Sequence, residues 1–372
     1  MFRRRLYAGQ SFGHSHRVRS WIRHHKKIAI PGAVIFVLLL GVGGFAVFKL
    51  THKKAPPAAP VAKKETPKPA AAPAPLVYHS PLTGLEVTKD QSERPVTGIM
   101  IENSPDARPQ SGMIDAGVVF EAIAEGGITR FLTLFQEKGP TLVGPVRSVR
   151  SYYVDWLGAF DAGIAHVGGS AAALQTVRGG GFKDLDQFFN GGYYWRATDR
   201  YAPHNVYTSF EKLNALNQAK GYTHSNFTGF PRKAEAASAT PNATKIQINI
   251  SSGLYDSTYA YDKSSNTYLR SEGGAPHIDR ESKQQLHPKV VIAMKVQEST
   301  VLEDGYRENI NAIGNGDCWV FQDGNVQHGT WQKAGIHDQI IFKDDNNSSL
   351  KLNPGQTWIA AVPNAQSVTW QP

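Results

Sequence analysis

The chain has 372 residues, a formal net charge of +9 and one cysteine. The length allows one large or two medium domains. Cys318 alone excludes an intrachain disulfide, a cysteine-rich metal site and a lipobox cysteine near the N-terminus. The charge would suit a nucleic-acid binder, but its distribution argues against one. Of 40 Lys and Arg, 14 lie in residues 1–75 beside one acid, Glu65, which leaves 26 bases and 30 acids, about −4, for the rest.

Residues 1–27 are basic and hold no acid. Ile28–Phe48 then runs without a charge, long enough to cross a bilayer core of about 30 Å. The basic flank predicts an N-terminus in the cytoplasm and a single-pass protein of the cell membrane with its globular region outside. A cleaved signal peptide is the alternative, with an unusually long basic region and apolar run. From Lys53 to Pro75 the chain is Pro-, Ala- and Lys-rich and cannot build a core. It predicts a semi-rigid stalk of about 70 Å at ~3.1 Å per residue.

The folded region starts near Tyr78. Val96–Ile101 reads as a strand, and Glu102–Gly112 as a loop carrying Arg108. Phe120–Ala124 and Thr129–Phe135 read as strands joined by Glu125-Gly126-Gly127, followed by a third short strand. Apolar residues across Ser148–Phe160 predict a helix. Gly163–Val167 reads as a strand, and Gly168-Gly169-Ser170 leads into a helix with Ser170 as N-cap.

Gly179–Arg200 reads as an aromatic, glycine-rich loop that serves as a lid or a ligand wall, and Thr208–Lys220 as a helix. Residues 229–244 read as a polar linker. Beyond it strand patterns dominate: 245–250, 257–270, 289–296, 318–333 with a turn at Asp323-Gly324, and 356–362.

The expected class is mixed α/β. A layered mixed-sheet N-terminal domain with helices (78–232) precedes a β-rich C-terminal domain (240–365), after a tail (1–27), a membrane helix (28–48) and a linker (49–77).

Glu121, Glu125, Arg130, Arg147 and Arg150 lie on or beside apolar strands, where a charge must pair, face water or bind something. Arginine forks match carboxylate and phosphate, so these residues, Arg108 and Arg196 form a candidate anion site. The Ser170 helix start would add backbone donors. His166 and His204 are candidate acid–base groups, though each alone reads first as a hydrogen-bonded structural histidine. Gly168-Gly169-Ser170-Ala171-Ala172 fills only part of a nucleophile elbow. No spacing predicts a metal or cofactor.

Pro81-Leu82-Thr83-Gly84, Ala107-Arg108-Pro109-Gln110-Ser111-Gly112, Glu125-Gly126-Gly127-Ile128-Thr129-Arg130-Phe131 and Gly144-Pro145-Val146-Arg147-Ser148-Val149-Arg150 form one set of motifs. His166 with Gly168-Gly169-Ser170, Pro203-His204-Asn205, Gly329-Thr330-Trp331 and Gly355-Gln356-Thr357-Trp358 extend it. Together, over about Pro81 to Pro363, they resemble the YerB-like family of bacterial envelope lipoproteins. The resemblance implies an α/β first domain, a β-rich second part and a place outside the cytoplasmic membrane. It implies no reaction and no catalytic residue. The apolar span would replace the lipid anchor.

Three functions follow as alternatives. One is a tethered binding or regulatory module for a cell-wall polymer or an envelope protein. Another is an extracytoplasmic hydrolase or transferase pairing Glu121 or Glu125 with His166 or His204. The third is an interaction protein whose charges pair internally.

Overall fold

The fold grows from the central hairpin. β1 (Thr97–Glu102), β2 (Val118–Glu125) and β3 (Ile128–Phe135) are apolar and buried almost throughout, as strands covered on both faces are. β2 and β3 pair around Gly126 and Gly127, both at positive φ (57° and 77°), which glycine adopts without a Cβ clash. The computed structural model describes residues 76–300, 308–364 and 367–372. The expected membrane segment Ile28–Phe48, the tail and the stalk lie outside the described residues. Among the described residues no helix is long and apolar enough to cross a membrane.

Helix α1 (Ser151–Gly158) lies on the hairpin. Its Tyr152 hydroxyl donates to Ile123 O (2.6 Å), and the Tyr153 hydroxyl reaches Ala122 O (3.0 Å) and Arg130 O (2.6 Å). Trp156 stacks on Phe120 with centroids 5.3 Å apart. The helix starts at Ser151, not Ser148 as the pattern predicts. Val149 spends its backbone groups on Gly168 O and Ser170 N–H, which keeps Gly144–Arg150 extended. The expected third strand is present only as isolated bridges, Ile101 to Val146 and Val143 to Thr208 among them.

β4 (Gly163–Ala165), α2 (Ala171–Arg178), β5 (Lys183–Asp184) and α3 (Phe210–Ala219) complete the first half. Ser170 caps α2 as expected, its side chain accepting from Ala173 N–H. The second half contains β6 (Lys245–Ile248), β7 (Ser257–Asp262), β8 (Thr267–Glu272) and β9 (Ala275–Pro276). β10 (Val290–Lys295), β11 (Gly314–Gln322), β12 (Asn325–Lys333), β13 (Ile341–Asp344), β14 (Thr357–Val362) and β15 (Val368–Gln371) follow. The run 257–270, expected as one strand, is the hairpin β7–β8. Asp262 accepts from Ser264 and Ser265, and Asn266 takes φ +52°, so the chain reverses there. Asp323-Gly324 turns β11 into β12 with both φ positive, as a two-residue hairpin requires.

The fold class is the one expected: mixed, with every α-helix among the described residues in the first half. One ten-stranded sheet nevertheless runs through both halves, in the order β13-β12-β11-β10-β14-β2-β3-β1-β4-β5. The crossing is the parallel pair β14–β2, Thr357 opposite Val118. A second sheet, β9-β8-β7-β6-β15, belongs to the second half. The stretch 229–244 has no regular element, but it is pinned: Lys233 Nζ meets the Asp323 carboxylate at 2.5 Å and Arg232 donates to Asn353 O at 2.8 Å.

Candidate functional site

The sequence-predicted charges separate into four groups. The first is buried except at Arg108, whose side chain is 21% exposed. Glu121 projects from β2 and meets Arg270 Nη2 with both oxygens (3.0 and 2.9 Å), while Trp358 Nε1 donates to it at 2.9 Å. Arg270 also contacts Glu272 (3.2 Å), and its guanidinium lies 4.4 Å from the Trp358 ring centroid. Arg108 closes the network at Glu272 (3.4 Å) and donates to Asn103 O and Leu254 O. Burial raises the Glu121 carboxyl above its usual range, outweighing Arg270. Burial works the same way on Glu272, but Arg270, His277 and Arg108 outweigh it and hold that carboxyl below its usual range. No solvent-facing site exists here; Arg108 and Glu121 join the two halves of the chain.

The second group is Glu125 with Arg130 (3.0 Å) and Arg150. Arg130 also donates to Ser148 O at 2.8 Å. The third is Glu102, which meets Arg147 (3.3 Å), His204 Nδ1 (2.9 Å) and Ser104 Oγ (2.9 Å). Ser104 and Glu102 both approach the same His204 nitrogen. A nucleophile–base–orienter relay uses one ring nitrogen for each partner, so this is not one.

The fourth group forms the floor of a cleft. His166, fully buried just after β4, faces Gly168 O with Nδ1 (2.8 Å) and Asp184 with Nε2 (3.1 Å). Neither nitrogen is left to act as a base on a ligand. Burial opposes ionisation of Asp184, but the hydrogen bonds from His166 and the Asp186 N–H, with the Arg178 charge, together outweigh it and lower its pKa. Asp186, also fully buried, accepts from Gly168 N–H (3.1 Å), Phe188 N–H (3.2 Å) and Arg178 Nη2 (2.8 Å). One carboxylate thereby fixes three walls of the cleft. Asp186→Asn should cost about 1–3 kcal/mol in urea unfolding, the range for losing a charge-assisted buried acceptor. An unchanged midpoint would mean that the floor does not depend on it.

The cleft encloses about 500 Å³ between Arg147, Arg178, Arg196, Gly168, Gly169 and Phe188. No carboxylate lines it. Arg196 reaches it from a short strand, held by Asn205 at 2.7 Å. Arg147 is the least satisfied of the three. Among the described residues its guanidinium makes no hydrogen bond; its one ionic partner is Glu102. Burial lowers its pKa, Glu102 opposes this, and Arg130 adds to it. By contrast, a cavity of about 460 Å³ on the β6–β9 sheet has one charged lining residue, Lys245.

Of the predicted site residues, Arg147 and Arg196 line the cleft, His166 supports it, and Ser170 follows its Gly168-Gly169 wall. His204 adjoins the lining residue Pro203. Neither Glu121 nor Glu125 pairs with His166 or His204; their partners are arginines. Sequence reasoning missed Arg178, Asp184, Asp186 and Glu102. The Asp-x-Asp spacing in the predicted loop was the available signal. Cys318 is buried, which pushes its thiol up to about 12 and leaves no thiolate nucleophile. Among the described residues no group of three His, Cys, Asp and Glu could hold a metal ion.

The family described as "Protein of unknown function (DUF3048) N-terminal domain" matches residues 82–223, and its "C-terminal domain" matches 246–359. The candidate lipoprotein YerB of Bacillus subtilis (strain 168) is 33% identical over 295 residues, covering 78% of this chain and 88% of that protein. The chain belongs to the YerB-like family. The crystal structure of YerB from Bacillus subtilis matches with a TM-score of 0.72 at 31% identity, covering 79% of this chain and 100% of that one.

Proposed function

We propose that the protein is a membrane-tethered, extracytoplasmic binding or regulatory component of the bacterial cell envelope. Its ligand is an anion, or an anionic group on a wall polymer or envelope protein, taken by Arg147, Arg178 and Arg196. The relative's description as a candidate lipoprotein supports the envelope location. The apolar span and stalk in the sequence support a protein tether in place of a lipid. The observation that carries the ligand class is Arg147: half-buried, facing a cleft without carboxylates, its fork not hydrogen-bonded. A guanidinium in that state is prepared for a bidentate oxyanion.

Titration of the detergent-solubilised full chain with inorganic phosphate and with glycerol phosphate tests this. Arg147→Gln should weaken binding about tenfold or more, the value of one charge-assisted hydrogen bond. Its stability should fall by less than about 1 kcal/mol, because Glu102 keeps Ser104 and His204. Equal binding by both proteins, or no saturable binding by the unaltered one, ends the reading.

A further inference from the structure

Two phenylalanines stand beside the arginine cleft in water. Phe188 is 68% exposed and Phe189 70% exposed, values exceeded among the large apolar side chains of the described residues only by Leu76. They occupy the tip of a turn held from within. Asp186 accepts from the Phe188 N–H through its carboxylate and from the Phe189 N–H and the Asn190 side chain through its carbonyl. The rings are thus presented by a braced turn anchored in the core. Phe188 is itself a wall of the cleft and packs over Gly168, where a Cβ would lie 3.1 Å from its ring. Phe189 lies 5.0 Å beneath the guanidinium carbon of Arg178, a second cleft residue. On another side Tyr201, 64% exposed, precedes the lining residues Ala202 and Pro203.

The geometry points to an anionic lipid surface as the partner of this face: a headgroup phosphate enters the arginine cleft while Phe188 and Phe189 enter the apolar layer. The inference rests on the anion-binding reading above and names the source of the anion. A soluble anion would need the arginines and would leave the exposed Phe189 ring, which does not line the cleft, unused. An amphiphile uses both, because its charge and its apolar body adjoin, as the cleft and the rings do. Apolar patches rimmed by polar groups mark interaction sites. Cationic side chains next to aromatic ones suit the boundary between headgroups and acyl chains. The tether read from the sequence would hold this face within reach of the leaflet.

Residues 76–372 are the part to test, since they hold every described element and both matched domains. They should sediment with mixed phosphatidylcholine–phosphatidylglycerol vesicles, and much less with phosphatidylcholine alone. Phe189→Ser, at a ring that does not line the cleft, should lower vesicle affinity by about tenfold or more while glycerol phosphate affinity changes by less than about twofold. Melting should not change, because the Phe189 ring is 70% exposed. Arg147→Gln should lower both affinities. Equal binding to the two vesicle types, or no loss in the Phe189 variant, overturns the lipid inference and leaves anion binding standing. So does binding of glycerol phosphate without binding of vesicles, which assigns the rings to a protein partner. Failure to bind glycerol phosphate at all strikes the anion reading itself.

Discussion

Replacing Arg270 by methionine should cost about 4 kcal/mol of folding stability, or more, in urea unfolding. Arg270 has no exposed surface, and its two partners Glu121 and Glu272 are buried with it. Methionine keeps much of the side-chain length against Trp358, Phe131 and Tyr259, the rings around the guanidinium. The change therefore removes charge and hydrogen bonds more than packing, and strands two carboxylates in the interior. Adding Glu121→Gln to the variant should restore part of the loss, since one stranded charge is gone. That recovery, measured as a double-mutant cycle, separates electrostatics from packing. A loss under about 1 kcal/mol would show that water reaches the carboxylates and that the network is not what joins the halves. The expected effect is large because Glu121 comes from β2 and Arg270 from β8, so the pair ties the shared sheet to the second one.

Acid should weaken the protein through His277. Burial lowers its pKa to about 3, with the Arg270 charge acting in the same direction and Glu272 against it. Its Nδ1 faces Arg270 and its Nε2 faces Gln110 at 2.9 Å, so the neutral ring with Nε2–H fits both partners. The unfolded chain binds this proton near pH 6.5 and the folded one only near pH 3. Between those values the unfolded state holds more protons, so stability falls as pH falls. From pH 6.5 to pH 4.5 the loss from this one group should be about 2–3 kcal/mol. Glu121, raised above the usual carboxylate range, and Glu272, held below it, act on stability with opposite signs. His277→Gln keeps a donor and an acceptor and removes the titration. Its stability should therefore depend less on pH by that amount, as read from urea midpoints at the two pH values. Parallel curves for the two proteins would assign the acid sensitivity elsewhere.

The sequence by itself determined the class of fold and most of its elements. Period-two and continuous apolar runs located β1, β2, β3, β10 and β14, and Asp323-Gly324 located a hairpin, because these signals are local. Ser170 was legible as a cap for the same reason. The motifs sufficed for the family. Where Val149 bridges to Gly168 the local pattern misled, since a distant backbone claimed groups that a helix would have used. Pairing of charges was beyond the sequence altogether. Arg130, Arg147 and Arg150 look alike in the chain. Yet Arg130 and Arg150 are held by Glu125, and Arg147 alone of the three opens onto the cleft. Glu121 looked as available as Glu125 until β8 brought Arg270 to it, from 149 residues away. The cleft draws Arg147, Arg178 and Arg196 from three segments, and Asp186 fixes its floor by bonds to Gly168, Arg178 and its near neighbour Phe188. Hydrogen bonding and ion pairing depend on distance in space, and only the crossing of strands and loops decides which of many equivalent charges meet.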